Sequence, residues 1–364
     1  MTLQAKDFGV VGDGATDDTP GLIALRDTIR SGADRVWRVE FEPGHYCYSD
    51  NRWAMFGDRS VVLELNHSTV ECFADALLPL GTGPLAWDIE YPTRKTSTNG
   101  ERPLGHLIET VGVGSREVRF KAAVASQLVP GDAVLVAGDI QQTREESDGS
   151  VWNWGWPPNF RFFEYKTVAE VVDEFTARFL DPFRFGYDDG WEDFPANSPI
   201  GVMRYGAPRL WRCRLDDGRH VNRALTIRNA NFIGGRDRQA GTKTALAAKG
   251  LHVTLENCST SDDNAFWPTI AKRVDLIDCR LSRMEMDKIV ESVRMDGGEI
   301  YGGMSSGGAG VLDARFKDVK FYGFVQVTPR RSWVFDQCHA YDGVMMSKGL
   351  TNTPFALTGA AGDV

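Results

Sequence analysis

Leu225-Thr226-Ile227-Arg228-Asn229 returns, with its chemistry kept, as Val253-Thr254-Leu255-Glu256-Asn257 and again as Val274-Asp275-Leu276-Ile277-Asp278. Looser copies follow at Val293-Arg294-Met295-Asp296, Ala314-Arg315-Phe316-Lys317-Asp318 and Trp333-Val334-Phe335-Asp336-Gln337. Their terminal residues stand 28, 21, 18, 22 and 19 positions apart, which is the period of one solenoid coil. Apolar and polar residues alternate within each copy, so one side of every strand turns inward. Stacking the coils pairs each strand with the strands above and below at about 4.8 Å. The terminal residue is expected to point inward, bonding to turn backbone and to its neighbours as a ladder. Cys258 and Cys279 follow that residue in consecutive coils, which makes them small apolar filler at a corner; nothing in the pattern calls for a disulfide between them.

The rest of the composition agrees with a repeat fold. In 364 residues, 42% hydrophobic content supplies a core, and 38 glycines against 16 prolines suit many tight turns between short strands. With 41 Lys+Arg against 50 Asp+Glu the net charge is −9, the wrong sign for whole-molecule attraction to nucleic acid or an anionic membrane. Local Arg and Lys still suit an anionic sugar. Met1-Thr2-Leu3-Gln4-Ala5 has neither the basic region nor the apolar run of a secretory leader, and no stretch reaches the length of a membrane span. Two origins fit that start: a virion-type protein released by lysis, or a secreted protein whose leader has been removed. The six cysteines, at 47, 72, 213, 258, 279 and 338, form no Cys-x-x-Cys pair and read as buried thiols.

The N-terminus carries a second pattern. Lys6-Asp7-Phe8-Gly9, Gly12-Asp13-Gly14 and Thr16-Asp17-Asp18-Thr19 lead into Leu22, Ile23, Leu25 and Ile29, and then into Glu42-Pro43-Gly44-His45-Tyr46. Asp18 or Thr19 predicts the cap of a helix that opens on Pro20 and ends near Ser31-Gly32. Gly9-x-x-Gly12-x-Gly14 is a turn before that helix, not a phosphate loop. This order resembles the N-terminal cap of the pectate-lyase-3-type β-helix proteins, a group of polysaccharide lyases, epimerases and phage tailspikes and spikes. The resemblance covers about residues 5–48, and the repeat phase supports it over 222–340. It implies an all-β fold, a right-handed parallel β-helix (a pectin-lyase-like solenoid) with an N-terminal capping helix. The expected organisation is a cap over 1–48, a β-helix over 49–348 with an aromatic-rich insertion at about 138–195, and a tail over 349–364.

The first half is less regular. Val61–Leu65, Val70–Phe73, Gly105–Glu109 and Glu117–Phe120 read as early strands, and Val129–Val136 as a strand entered by a tight turn. Four of the ten tryptophans follow within forty residues. Trp152, Trp154, Trp156, Tyr165 and Trp191 are the expected substrate-binding rings, since indole and phenol offer flat apolar faces with polar edges. A satellite core beneath a long insertion is the alternative role for them.

Carboxylates are the one well-populated catalytic class. Asp262 and Asp263 sit five and six residues past Asn257, and Glu285 and Asp287 seven and nine past Asp278, so adjacent coils bring the four toward one surface. A hydrolase needs two carboxyls about 5 to 9.5 Å apart. A lyase or epimerase needs a base beside a uronate carboxylate and a cation to stabilise the enolate-like charge, for which Arg236, Lys288 and Arg283 are placed. Solvated turn residues explain the same positions without any chemistry. His220, His252 and His339 lack metal-ligand spacing, so no metal is expected; calcium at Asp262 and Asp263 is the one cofactor left open.

The resemblance implies a tailspike-like or spike-like receptor-binding protein of a phage or phage-like particle, displayed on the virion surface. It would form a homotrimer, contact other virion proteins, and recognise a bacterial surface polysaccharide. Neither nucleic acid nor membrane insertion is expected, and whether the polymer is cleaved stays open. The alternatives are a secreted, extracellular bacterial lyase, hydrolase or epimerase, and a spike that binds sugar without turnover.

Overall fold

The computed structural model describes residues 1–54, 56–72, 78–80, 111–120, 123, 125–145, 151–153, 163–185, 203–212, 224–233, 246–261, 265–286, 289–305, 311–327, 332–342, 344–346 and 355–358. The chain forms two compact units, Met1–Leu85 with Val221–Val364, and Ala86–His220.

The first unit is a parallel β-helix. One row of parallel strands runs from Thr2–Gln4 and Val36–Glu40 through residues 60–64, 224–228, 252–256, 273–277, 292–296 and 313–317 to Ser332–Asp336 and Phe355–Thr358. The alternation read from the repeats sets its inner face. Leu225, Val253, Val274, Val293, Ala314 and Trp333 stack in one column, and Ile227, Leu255, Leu276, Met295, Phe316 and Phe335 in the next, all buried. Apart from Ala314, each such side chain contributes about 1.5–3 kcal/mol by leaving water.

A second row contains His45–Tyr48, residues 69–72, 230–233, 280–281 and 299–300, and the short strands Ser259–Thr260, Lys320–Phe321 and His339–Ala340. A third links Leu78–Leu80, residues 246–248 and 265–266, and the strands Arg283–Glu285, Met304–Ser305, Val325–Val327 and Val344–Met346. Ala224 pairs in register with Ser60, so the coil that resumes after residue 223 lies directly on the one begun before residue 80. The long intervening segment is inserted without breaking the stack.

The corner between the first two rows corrects the expected ladder in two ways. Asn229, Asn257, Asp278, Asp318 and Gln337 all have φ between 51° and 56°, a left-handed backbone that turns the strand; Asn and Asp tolerate it because their short side chains bond locally. In the fourth coil the corner falls on Gly297 (φ 71°), not Asp296, because Ile277 pairs with Asp296 and Cys279 with Gly298. The coil lengths are therefore 28, 21, 19, 21 and 19 residues. The corner side chains also face outward. Asn257, Asp278, Asp318 and Gln337 are exposed, while the buried positions are the next residues along, including Ala230, Cys258, Cys279 and Val319. A left-handed residue swings its own side chain to the outside of the bend and delivers its successor to the core. Cys258 and Cys279 are free thiols whose Sγ atoms lie 3.4–3.5 Å from backbone carbonyls; burial pushes the Cys279 thiol up to about 11 and raises that of Cys258 as well.

The capping helix spans Thr19–Ser31, with Pro20 in its first turn, and buries Leu22, Leu25 and Ile29. Asp18 stands at the cap position but gives the helix no side-chain bond. Its carboxylate accepts instead from the backbone N–H of Val11 (2.6 Å), Gly12 (3.3 Å) and Cys47 (3.2 Å), tying the entry turn to the first coil.

On the outer face of the first row, Asp275 accepts from His252 Nε2 (2.6 Å) and Arg273 Nε (2.9 Å). Burial raises its carboxyl, but these bonds and the Arg273 charge outweigh that and hold it below 3.8. A depressed native value stabilises the fold above the unfolded value and is lost as pH falls through the native one. Asp275→Asn is expected to cost about 1–2 kcal/mol at neutral pH. The gap from wild type should close in urea titrations below pH 3.8.

The second unit is antiparallel. Its strands run in the order Met203–Arg212, Ala133–Glu145, Phe163–Val171, Thr176–Phe179 and Glu117–Arg119, with Val151–Asn153 pairing the second of these. Glu117–Arg119 is thus a strand as expected, but an antiparallel one outside the solenoid. The unit is also wider than the expected insertion at 138–195. Val118, Phe120, Val134, Val136, Val168, Phe179 and Phe183 form its core. Beside them Glu164 and Lys166 make a buried ion pair at 2.7 Å, and Glu164 also accepts from the backbone N–H of Arg184 and Phe185.

Candidate functional site

The outward corner residues and the outward residues of the second row line a groove of about 500 Å³ on the β-helix. It is bordered by His67, Asn229, Asn257, Asp278 and Asp318 on the corner side, and by Asn231, Ser259, Arg280, Glu299 and Lys320 on the other. These come from six consecutive coils. Five steps of about 4.8 Å make a channel roughly 24 Å long.

The groove is built by the repeat itself. Each coil contributes the residue at the corner and the residue two positions later, which alternation places on the same outer surface. Asn229 donates to Glu64 Oε1 (2.6 Å) and Asn257 donates to Asn229 Oδ1 (2.7 Å), so the amides are held in line. Ser259 Oγ donates to Asn231 Oδ1 at 2.9 Å. Glu299 gathers a cluster: Tyr301 OH, Tyr322 OH (3.4 Å) and Lys320 Nζ (3.4 Å) donate to it, and Arg280 Nε lies 3.9 Å away. The Tyr301 bond, then Lys320 and Arg280, hold its carboxyl below the usual range, and the same bond to Glu299 raises the Tyr301 phenol. Glu299 is therefore an ionised acceptor at neutral pH and not a proton donor.

Four residues past the corner in three successive coils stand Tyr301, Tyr322 and Tyr341. Their rings stack with centroids 5.1 and 5.0 Å apart and planes within 6°. They remain 48%, 40% and 63% exposed. Exposed aromatic rings beside hydroxyl, amide and carboxylate groups form the combination that recognises sugars: apolar ring faces for C–H surfaces and polar edges for hydroxyls.

No protein-family model matches the chain, and no curated protein does either. Among solved structures, the tailspike protein gp49 from Pseudomonas phage LKA1 aligns over 93% of this chain with 13% identity and a TM-score of 0.36; the chain spans 64% of that protein's length. The gp54 tailspike of Acinetobacter baumannii bacteriophage AP22, solved with A. baumannii capsular saccharide, aligns over 98% of this chain and 69% of its own length, with 9% identity and a TM-score of 0.32. These superpositions are too loose to locate a site, so the site rests on the groove.

The expected site residues divide as follows. Glu285 lies in the third row, half-buried and paired with Arg283 at 2.9 Å, and does not line the groove. Tyr165 is 2% exposed in the second unit, packed edge-on against Phe163, so its ring offers no face to a ligand in solution. Trp152 lies in the strand Val151–Asn153, opposite Arg144. Asp262, Asp263, Asp287, Arg236, Lys288, Trp154, Trp156 and Trp191 fall outside the described residues. The tyrosine ladder was missed although its signal is present: counting from each corner residue, Tyr occurs at the same offset in the last three coils. The residues suited to a cation were missed too, and lie by the cap at His45, Cys47 and Glu71.

Proposed function

We propose that the chain is a polysaccharide-binding β-helix of the spike or tailspike kind, taking an extended bacterial surface glycan along the corner groove. The observation that carries this reading is the groove's composition: three amides, a hydroxyl, two cations and three carboxylates spread along six coils and neighboured by stacked, exposed tyrosines. Asp278, Glu299 and Asp318 outnumber Arg280 and Lys320, and both cations engage Glu299. A polymer of neutral sugars fits that lining better than a polyuronate. The N-terminal pattern over residues 5–48 supports the same class. In this reading the protein sits on the surface of a phage or phage-like particle as a homotrimer packed through coil sides. Among the described residues no helix is long and apolar enough to cross a membrane.

The test is binding and product analysis on a panel of purified capsular polysaccharides. One neutral polymer should bind, and Tyr322→Ala should weaken it by the ~1–3 kcal/mol typical of an exposed aromatic anchor, roughly 5- to 150-fold in Kd. Unsaturated uronate absorbance would mark a lyase, new reducing ends without it a hydrolase, and binding alone a spike without turnover. Unchanged affinity in Tyr322→Ala would remove the groove from the account.

A further inference from the structure

We propose that His45, Cys47 and Glu71 form a zinc site where the cap meets the first coils. His45 and Cys47 alternate on the strand His45–Tyr48, so they share one face while Tyr46 and Tyr48 turn into the apolar core. Glu71, on the next strand, stands directly opposite Cys47 in the parallel register. The three ligand atoms lie within 4.8 Å of one another, with His45 Nε2 2.8 Å and Cys47 Sγ 3.9 Å from Glu71 Oε2. No other group of this kind occurs among the described residues.

Three features favour a cation over a hydrogen-bonded trio. First, Nε2 of His45 is shut off from solvent and, despite its 2.8 Å approach to Glu71 Oε2, makes no hydrogen bond. A nitrogen and an oxygen set side by side in this way are placed as two ligands of one ion are. Secondly, zinc sits about 2.0–2.3 Å from N, O and S ligands. A tetrahedral arrangement then spaces those ligands roughly 3.3–3.8 Å apart, a range that the two measured contacts bracket, so small side-chain adjustments admit the ion. Thirdly, Cys47 is fully buried and Glu71 is 5% exposed, so an ion held between them is shielded from bulk water, where its attraction to a thiolate and a carboxylate is strong. The His45 side chain is 36% exposed through ring atoms other than Nε2, so the site lies just beneath the surface.

The donor set selects the metal. Thiolate and imidazole are poor ligands for calcium or magnesium and good ones for zinc. The position suggests what the ion does. His45 pairs with Asp13 and Cys47 with Asp17 in the entry strand, and a Cβ on Gly14 would lie 2.8 Å from His45 Nδ1, so the cap turn presses on the ring. A metal here staples the capping segment to the coil that follows it.

The experiment uses the whole chain, stripped with a chelator and titrated with Zn²⁺ against a chromophoric competitor, and separately with Co²⁺. One zinc per chain should bind, and cobalt should give a thiolate-to-metal charge-transfer band. Cys47→Ser should abolish that band and weaken zinc binding by about 100-fold or more, beyond the 10- to 100-fold typical of losing an outer-shell partner. Glu71→Gln should also weaken it. Should that buried substitution disturb folding, as judged by circular dichroism, His45→Asn at its more accessible position carries the same test. Absence of stoichiometric zinc and of a cobalt band in folded wild type would overturn the proposal. So would zinc binding that survives both Cys47→Ser and His45→Asn.

Discussion

Gly298→Ala is expected to lower the stability of the β-helix by more than any other single methyl group added at the corner. Gly298 has φ 98°, and a Cβ there would lie 2.1 Å from the carbonyl oxygen and 2.8 Å from the nitrogen of Cys279 in the coil below. Both are backbone atoms, fixed by the parallel pairing of Cys279 with Gly298, so no side chain can swing aside. The left-handed backbone alone costs a non-glycine residue about 1–3 kcal/mol. The clash adds to it, because relieving it means prising two coils apart. Gly9→Ala is the matched control: φ is 81° and nothing lies within 4 Å of the added carbon. It should lose only the conformational part, about 1–2 kcal/mol. Thermal melts of the two variants should differ by several degrees, and equal losses would mean that the coils are not stacked as described.

Trp333→Ala should cost about 3–5 kcal/mol, the range for deleting a fully buried large aromatic. Trp333 is 0% exposed, touches Phe316 and Phe335 at centroid distances of 6.3 and 6.4 Å, and donates Nε1–H to Val311 O at 3.3 Å. Its column neighbour below is Ala314, so the indole fills space that the small residue leaves, and removing it opens a cavity there. Trp333→Phe should recover much of the loss. Chemical denaturation followed by far-ultraviolet circular dichroism measures both, and a change under 1 kcal/mol in the alanine variant would contradict the packing.

The fold was legible because a solenoid repeats its local chemistry. Period-2 alternation identified Leu225, Val253 and Val274 as inward residues, and the corner amides gave the coil length. The slip at Asp296 has a plain cause: Asp296 and Gly297 are adjacent, both suit a turn, and only pairing across the coils decides which takes the left-handed backbone. The inward placement of the ladder failed for a conformational reason, since the bend reverses which side of the chain the corner residue occupies. Asp18 matched a helix cap in sequence, but three backbone donors brought together by the fold compete for its carboxylate.

The candidate site was less legible. Sequence reasoning weighted the densest aromatic cluster and the carboxylates nearest the corners, and local density does not say which residues align along the stack. Tyr301, Tyr322 and Tyr341 are isolated in sequence and become neighbours only when the coils are stacked. His45 and Cys47 are two apart, but their partner Glu71 comes from the next coil. Glu164 and Lys166 show the converse: two residues apart in one strand, they are both buried and pair with each other, not with a ligand.

The most direct measurement is hydrogen exchange of the whole chain with and without an oligosaccharide from a polymer that it binds. Bound sugar is predicted to slow exchange at 257–260, 278–282, 298–301 and 320–322, the corner and second-row segments that form the groove and its tyrosines. Protection confined to peptides between 86 and 220, with the corner segments unchanged, would contradict the account.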